Sequence, residues 1–178
     1  PHSLNEAIGR DGNAEIIEIR PQPGNNPEEL VSRIRELVSR LPRIGISGHC
    51  QPLGGHIHFG GVVEAPGDLI EALDEFLGIL FARCNGEARG PYGELGSVRL
   101  QPHGFEYRSL PSAVFANPRL ARIVLKLAQG IVCLGVNKGF RYQAPPTEKE
   151  YTRFITPAEF NFMLKFVERY RNGDIDTA

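Results

Sequence analysis

The sequence has little net charge, few cysteines and no long apolar run. Its formal net charge is −1 over 178 residues, so no overall electrostatic field attracts it to nucleic acid or to an anionic membrane. No apolar run approaches the roughly 20 residues that a membrane-spanning helix needs. The first residues lack the basic and then apolar pattern of a signal peptide. These absences predict a cytoplasmic protein that binds neither nucleic acid nor membrane.

The cysteine pattern and the absence of two motifs exclude further classes of protein. Cys50, Cys84 and Cys133 are odd in number and lack the spacing of a metal site. We expect reduced thiols, with Cys84 and Cys133 packed on helices. There is no Walker-type Gly-x-x-x-x-Gly-Lys-Ser/Thr, which excludes a P-loop protein, and no Gly-x-Ser-x-Gly nucleophile elbow.

The length and apolar content predict one folded domain over residues 1–178. The apolar fraction of 41% is ordinary for a globular protein, and the chain is long enough to bury a core. The chain begins on Pro1 rather than on methionine, so the numbering is expected to start inside a longer or processed polypeptide.

Strand and helix patterns alternate along the chain. Strands are predicted at 14–20, 44–50, 55–63, 97–101 and 104–108. Helix starts are predicted at Asn26-Pro27, Pro66-Gly67, Asn117-Pro118 and Thr156-Pro157. In the second helix Asp74 is expected to face water, and 135–155 is expected to be a long loop. The pattern predicts an α+β fold with a mainly antiparallel sheet and helices packed on one face.

Charged residues are predicted to share the other face of the sheet. The stretch Gly54-Gly55-His56-Ile57-His58-Phe59-Gly60-Gly61 places two histidines on one side of a strand. A strand with two hydrogen-bonded histidines is the simpler interpretation of this stretch. Elsewhere Glu-x-Arg occurs twice, as Glu18 with Arg20 and as Glu106 with Arg108. An exposed ion pair is the simpler interpretation of one such motif, but its repetition favours a site.

Such a face suits phosphoryl transfer. Glu18, Glu106 and one histidine would suit Mg²⁺ or Mn²⁺. Arginines match phosphate and carboxylate groups with paired hydrogen bonds, and a Gly-rich loop over 85–96 carries Arg89. A metal-dependent hydrolase that uses the histidine pair is an alternative, but it leaves the arginines unexplained.

Several of these motifs occur in an order that resembles a known family. The motifs are Asp11-Gly12 to Arg20-Pro21, Gly54 to Gly60, Arg89-x-x-Tyr92-Gly93, Arg99, and Gly104-Phe105-Glu106-Tyr107-Arg108-Ser109-Leu110-Pro111-Ser112. Over residues 8–125 the chain resembles the phage-type amidoligases, carboxylate–amine ligases of the glutamine synthetase and glutamate–cysteine ligase superfamily. The resemblance implies a glutamine synthetase-like catalytic fold and an ATP-dependent ligase that forms an amide through an acyl phosphate.

The resemblance also implies a role for each matched residue. Glu18, His56 and Glu106 resemble ligands of Mg²⁺ or Mn²⁺. Arg99 and Arg89 resemble partners of the ATP phosphates. Glu106 and Arg108 resemble the catalytic groups, and Arg108 and Arg20 would hold the substrate carboxylate or the acyl phosphate. His58 resembles a substrate contact. The implied substrates are a small-molecule or peptide carboxylate and an amine.

One departure from the family pattern leaves an alternative open. The superfamily has an earlier strand with an acidic motif, and nothing before Asn13 resembles it. The strand either lies upstream of Pro1, has been lost, or is replaced by acids from another copy in a homo-oligomer. Loss of the strand would favour a non-catalytic binding or assembly module derived from the same fold.

Overall fold

The computed structural model describes residues 7–10, 16–41, 53–62, 67–82, 84, 93–138 and 146–172. Its helices and antiparallel strands confirm the α+β class. The chain forms two compact units, Pro1–Ser47 and Gly48–Ala178. No helix in the described ranges is both long enough and apolar enough to cross a membrane.

The first unit contains a short antiparallel strand pair. Strand β1 spans Ile8–Arg10 and strand β2 spans Ile17–Ile19, with Gly9 opposite Glu18. The sequence predicts β2, as part of 14–20, but not β1. Strand β1 reads Ile-Gly-Arg, in which only the isoleucine favours a strand, so no strand pattern marks it in the sequence.

Helix α1 begins where its capping residues predict. It spans Pro27–Ser39, and the Asn26 side chain accepts a hydrogen bond from the Glu29 backbone N–H at 2.8 Å. Proline at the first helical position lacks only an N–H that would have no partner within the helix. Arg35 and Arg40 are exposed, whereas Arg33 is partly buried and donates a hydrogen bond to the Gln22 carbonyl oxygen at 2.9 Å.

Three strands form the antiparallel sheet of the second unit. Strand β3 spans Gly54–Gly60, β4 spans Val98–Gln101 and β5 spans Gly104–Pro111. Strand β5 lies in the centre, paired with β3 on one side and β4 on the other. The predicted strand 44–50 lies outside the described residues. The described strands form two sheets, whereas the sequence predicts one.

The two faces of the three-stranded sheet differ in chemistry. Ile57 and Val98 lie opposite Tyr107, and Phe59 stacks on Phe105 with ring centroids 4.9 Å apart. Because side chains alternate between the faces of a strand, the residues between these apolar ones lie on the other face. That face carries the charged residues.

Helices cover the apolar face. Helix α2 (Gly67–Leu73), a π-helical turn (Asp74–Gly78) and helix α3 (Ile79–Ala82) follow one another without interruption. The π turn and α3 pack on β5, and helix α4 (Ala113–Ala116) packs on β3. The arrangement agrees with the predicted packing of helices on one face of the sheet.

Asp74 does not face water, contrary to the prediction from the sequence. It is 9% exposed, and its carboxylate accepts hydrogen bonds from the Tyr107 hydroxyl at 2.7 Å and from the Gly96 backbone N–H at 2.5 Å. Gly78 permits this close packing: a Cβ there would lie 2.6 Å from Leu95 Cδ2 and 2.7 Å from the Tyr107 hydroxyl. Asp74 therefore joins the helix to the sheet.

The C-terminal helices complete the second unit. Helix α5 (Pro118–Lys138) packs on α2 and α4, and helix α7 (Pro157–Arg171) packs on α5. Helix α7 begins at a capping box formed by Thr156 and Glu159, as predicted. The loop predicted at 135–155 is wrong in part, because α5 continues into it and it contains helix α6, Glu148–Tyr151.

The two cysteines in the described ranges differ in burial. Cys84 is buried just after α3, where burial raises the pKa of its thiol to about 11. A thiol with that pKa stays protonated near neutral pH and is a poor nucleophile. Cys133 lies on α5 but is exposed, so its predicted packing is wrong.

Candidate active site

Glu106 is the centre of the polar face of the three-stranded sheet. It lies in the middle of β5, where His58 on β3 and Arg99 on β4 are its direct cross-strand neighbours. Its side chain is 0% exposed. A buried carboxylate is costly unless charged or hydrogen-bonding groups surround it. The neighbouring strands supply both.

The Oε2 atom of Glu106 accepts hydrogen bonds from β4. Arg99 Nε donates to it at 2.7 Å and Gln101 Nε2 donates at 3.0 Å. A guanidinium nitrogen of Arg99 also lies 2.6 Å from the same oxygen. Arg99 and Gln101 are two residues apart on β4, so their side chains lie on the same face of the sheet. Strand β4 therefore holds one oxygen of the carboxylate.

The Oε1 atom of Glu106 has different neighbours. It lies 2.9 Å from Nδ1 of His56 and 3.3 Å from Nε of Arg108. Oε1 is buried, and it accepts no hydrogen bond within the described residues. This oxygen is therefore the one with capacity left for a ligand.

A register shift between β3 and β5 lies beside His56. Between the pairs Gly55–Leu110 and Ile57–Tyr107, β3 has one residue, His56, and β5 has two, Arg108 and Ser109, so the extra residue is in β5. Gly55 is required there, because an added Cβ would lie 2.6 Å from the Phe115 ring and 2.8 Å from the Pro111 carbonyl oxygen. The glycine before the histidine thus lets β3 lie against α4.

The surroundings of Glu106 favour its ionised form. Burial raises the pKa of the carboxyl, but the Gln101 hydrogen bond, the His56 imidazole and the Arg99 hydrogen bond together lower it below its usual value. Glu106 is therefore an anion at neutral pH. It combines a fixed negative charge with two arginines beside it, as predicted from the sequence.

His56 and Glu106 fit two ligand positions of a divalent cation. Two ligands about 2.1 Å from an octahedral ion and at right angles lie about 3.0 Å apart, close to the 2.9 Å observed. No group of three His, Cys, Asp or Glu residues suited to a metal occurs within the described part of the chain. A third ligand would come from water or from substrate phosphate, which is usual for Mg²⁺.

The remaining predicted site residues are placed as follows. Glu18 and Arg20 belong to the first unit, where they form an ion pair with each other. Arg89 lies outside the described residues. His58 is exposed, and its ring centroid lies 5.6 Å from that of His103. The functional roles of these four residues stay predictions.

Two polar residues were missed as candidates from the sequence. Gln101 contacts Glu106 directly. Its position two residues from Arg99 on one strand indicated that it would share the charged face of the sheet. Asp74 lies among apolar residues of α2 and the π turn, and this apolar context was the signal for its burial. A charged residue buried in this way usually has a specific partner.

Comparison with protein families found a matching family model. The family model described as phage phiEco32-like COOH.NH2 ligase-type 2 matches residues 5–138, which is well over half of the chain. The matched range includes Glu106 and the residues around it, His56, Arg99, Gln101 and Arg108. No curated protein and no solved structure matches. The glutamine synthetase-like detail of the fold therefore stays a prediction. The chain belongs to the phage phiEco32-like COOH.NH2 ligase-type 2 family.

Proposed function

We propose that the protein is an ATP-dependent carboxylate–amine ligase that forms an amide bond through an acyl phosphate. The observation that carries the proposal is the buried, ionised Glu106, which lies between Arg99 and Arg108 and beside His56. Family membership supplies the reaction class. Carboxylate, imidazole and guanidinium groups together are suited to hold a metal-bound nucleotide beside an anionic substrate.

The proposed reaction has two steps. In the first, a carboxylate oxygen of the substrate attacks the γ-phosphorus of ATP, and the bond to the ADP oxygen breaks. In the second, the amine nitrogen attacks the acyl carbon, phosphate leaves, and the nitrogen loses a proton. Both steps need positioning and charge neutralisation more than a nucleophile from the protein.

Each proposed residue has one task. Glu106 and His56, with Glu18, would hold Mg²⁺ or Mn²⁺. When bound, such an ion neutralises phosphate charge. Arg99 and Arg89 would contact the phosphates of ATP. Arg108 and Arg20 would hold the substrate carboxylate or the acyl phosphate, and His58 would contact substrate. The proposal includes a cytoplasmic location, small-molecule or peptide substrates, and a homo-oligomer in which another copy supplies further acids.

Hydroxylamine trapping tests this proposal. The full chain is incubated with ATP, Mg²⁺, hydroxylamine and a panel of amino-acid and peptide carboxylates. An acyl phosphate reacts with hydroxylamine to give a hydroxamate, so we expect hydroxamate and ADP in equal amounts. Glu106→Gln is expected to abolish both products. Glu168→Gln, at an exposed position on α7, is the matched control and should keep them.

Two results would contradict the ligase proposal. Hydroxamate formation that continues in Glu106→Gln would remove Glu106 from the reaction. Metal-dependent hydrolysis of an amide or an ester in the absence of nucleotide would favour a metal-dependent hydrolase instead.

The second candidate is a non-catalytic binding or assembly module of the same family. Strand β1, which precedes β2, has the sequence Ile-Gly-Arg and carries no acidic residue. Calorimetric titration with Mg²⁺ and ATP separates the two candidates. Tight, metal-dependent binding supports the ligase, and absence of binding together with absence of hydroxamate supports the module.

A further inference from the structure

Gln101 contacts Glu106 through a side-chain amide, which carries no charge. It lies near the end of β4, with Gly104 as its cross-strand partner on β5. Its side-chain amide donates a hydrogen bond to Oε2 of Glu106 at 3.0 Å. The family resemblance assigned no role to it. Its contact is with the same carboxylate that the proposed ligase uses to hold a cation.

The two oxygens of Glu106 have different environments. Oε2 accepts two hydrogen bonds, both from β4. Oε1 accepts none within the described residues, and it lies 2.9 Å from Nδ1 of His56 and 3.3 Å from Nε of Arg108. The last torsion of a glutamate side chain is broad and roughly two-fold, so the torsion itself does not fix the plane of the carboxylate. The two donors from β4 supply that restraint.

A neutral donor is suited to this task. A second arginine or a lysine at position 101 would also donate to Oε2, but it would add positive charge near a cation held at Oε1. The amide orients the carboxylate without that repulsion. Hydrogen-bond partners of ligating carboxylates commonly act in this way in metal sites.

We propose that Gln101 is a positioning residue that holds the Glu106 carboxylate so that Oε1, together with His56, faces a divalent cation. The inference rests on the metal-binding role in the proposed function. Gln101 itself contacts neither cation nor substrate, and it acts only through Glu106.

Mn²⁺ binding is the direct test, because it is measured by electron paramagnetic resonance without turnover. Gln101→Met keeps the length of the side chain and removes the N–H donor. Loss of such a partner typically weakens metal binding about 10–100-fold, and we expect a loss in that range. Gln22→Met, at an exposed position of the first unit, is the matched control and should bind Mn²⁺ like the wild-type protein.

A second variant and a kinetic readout separate positioning from folding. Gln101→Val also lacks the donor, and valine favours the strand conformation. Both variants lose a hydrogen bond to a buried carboxylate, so we expect both to melt at a lower temperature than the wild-type protein and to remain folded at the assay temperature. In the amide-forming reaction both should need a higher Mn²⁺ concentration for half-maximal rate and recover kcat at saturating Mn²⁺. A purely structural defect would lower kcat at every Mn²⁺ concentration.

The outcomes distinguish this inference from the proposed function. If wild-type protein binds Mn²⁺, Glu106→Gln loses it and both Gln101 variants bind like wild type, Gln101 has no positioning role and the ligase proposal stands. If wild-type protein shows no Mn²⁺ binding that depends on Glu106, the metal role fails and the inference fails with it.

Discussion

The Oε1 atom of Glu106, on the central strand β5, lies 2.9 Å from the Nδ1 atom of His56 on β3. The other oxygen of the same carboxylate is held by Arg99 and Gln101 from β4. Three strands thus meet at one buried anion. The polar face is therefore organised around a single side chain, and the following predictions test that organisation.

His56 and His58 should differ in their effect on metal binding. His56→Gln removes the imidazole beside Oε1, so we expect Mn²⁺ affinity to fall at least about 10-fold. His58→Gln should largely keep Mn²⁺ affinity, because His58 is exposed and Oε1 has His56 as its histidine neighbour. The same resonance titration measures both variants. An equal loss in the two variants would contradict the assignment of His56 as the ligand.

Arg99 should contribute to nucleotide affinity. Arg99→Met removes a charged hydrogen-bonding partner of phosphate, worth about 1.5–3 kcal/mol, or roughly a 10–150-fold rise in the Kd of ATP. Calorimetry with ATP and Mg²⁺ measures this change. Arg35→Met, on the solvated face of α1, is the matched control and should leave the Kd unchanged. Wild-type affinity in Arg99→Met would show that Arg99 serves only to stabilise Glu106.

Asp74 should make the stability of the protein depend on pH. Burial raises the pKa of Asp74 above its usual value of 3.8, more than its hydrogen bonds from Tyr107 and Gly96 lower it. When folding raises the pKa of a carboxyl group, the folded state binds the proton more tightly than the unfolded chain does. This stabilises the fold fully at pH values below the pKa of the unfolded chain, and the stabilisation is lost as pH rises through the pKa of the folded state. The free energy of unfolding of wild type minus that of Asp74→Asn should therefore fall as pH rises from below 3.8.

Urea unfolding at a series of pH values measures this difference. A difference that stays constant or rises with pH would contradict the prediction. Tyr107→Phe gives a second check. It removes a hydrogen bond that lowers the pKa of Asp74. In this background the difference in free energy of unfolding should therefore continue to fall up to a higher pH.

Gly78 should be intolerant of a side chain. A Cβ at this position would lie 2.6 Å from Leu95 and 2.7 Å from the Tyr107 hydroxyl, so we expect Gly78→Ala to cost about 1–3 kcal/mol of stability. Gly67→Ala is the matched control, since a Cβ there meets nothing within 4 Å. Thermal unfolding of both variants measures the difference. Equal melting temperatures would show that the π turn can move away from the sheet.

Short-range patterns in the sequence predicted most of the elements that surround the site. The caps at Asn26 and Thr156 correctly placed the starts of α1 and α7, because a cap depends on a few adjacent residues. The alternation around His56 and Glu106 correctly indicated strands with one charged face. Strand β1, Ile-Gly-Arg, has too little strand preference to be recognised. The prediction of an exposed Asp74 rested on its charge, although it lies within the apolar face of its helix, where Tyr107 and Gly96 supply its hydrogen bonds.

The sequence by itself determined the α+β class, the family and the charged face of β3, β4 and β5, because each depends on residue order and on local periodicity. It wrongly placed Glu18 and Arg20 on the same sheet, since β2 pairs with β1 in a separate one. Only the tertiary structure decided which atoms meet. The register of β3 and β4 against β5, including the extra residue of β5 opposite His56, assigns Arg99 and Gln101 to one oxygen of Glu106 and His56 to the other. Register is a long-range property set by packing and by turns, and no window of sequence contains it.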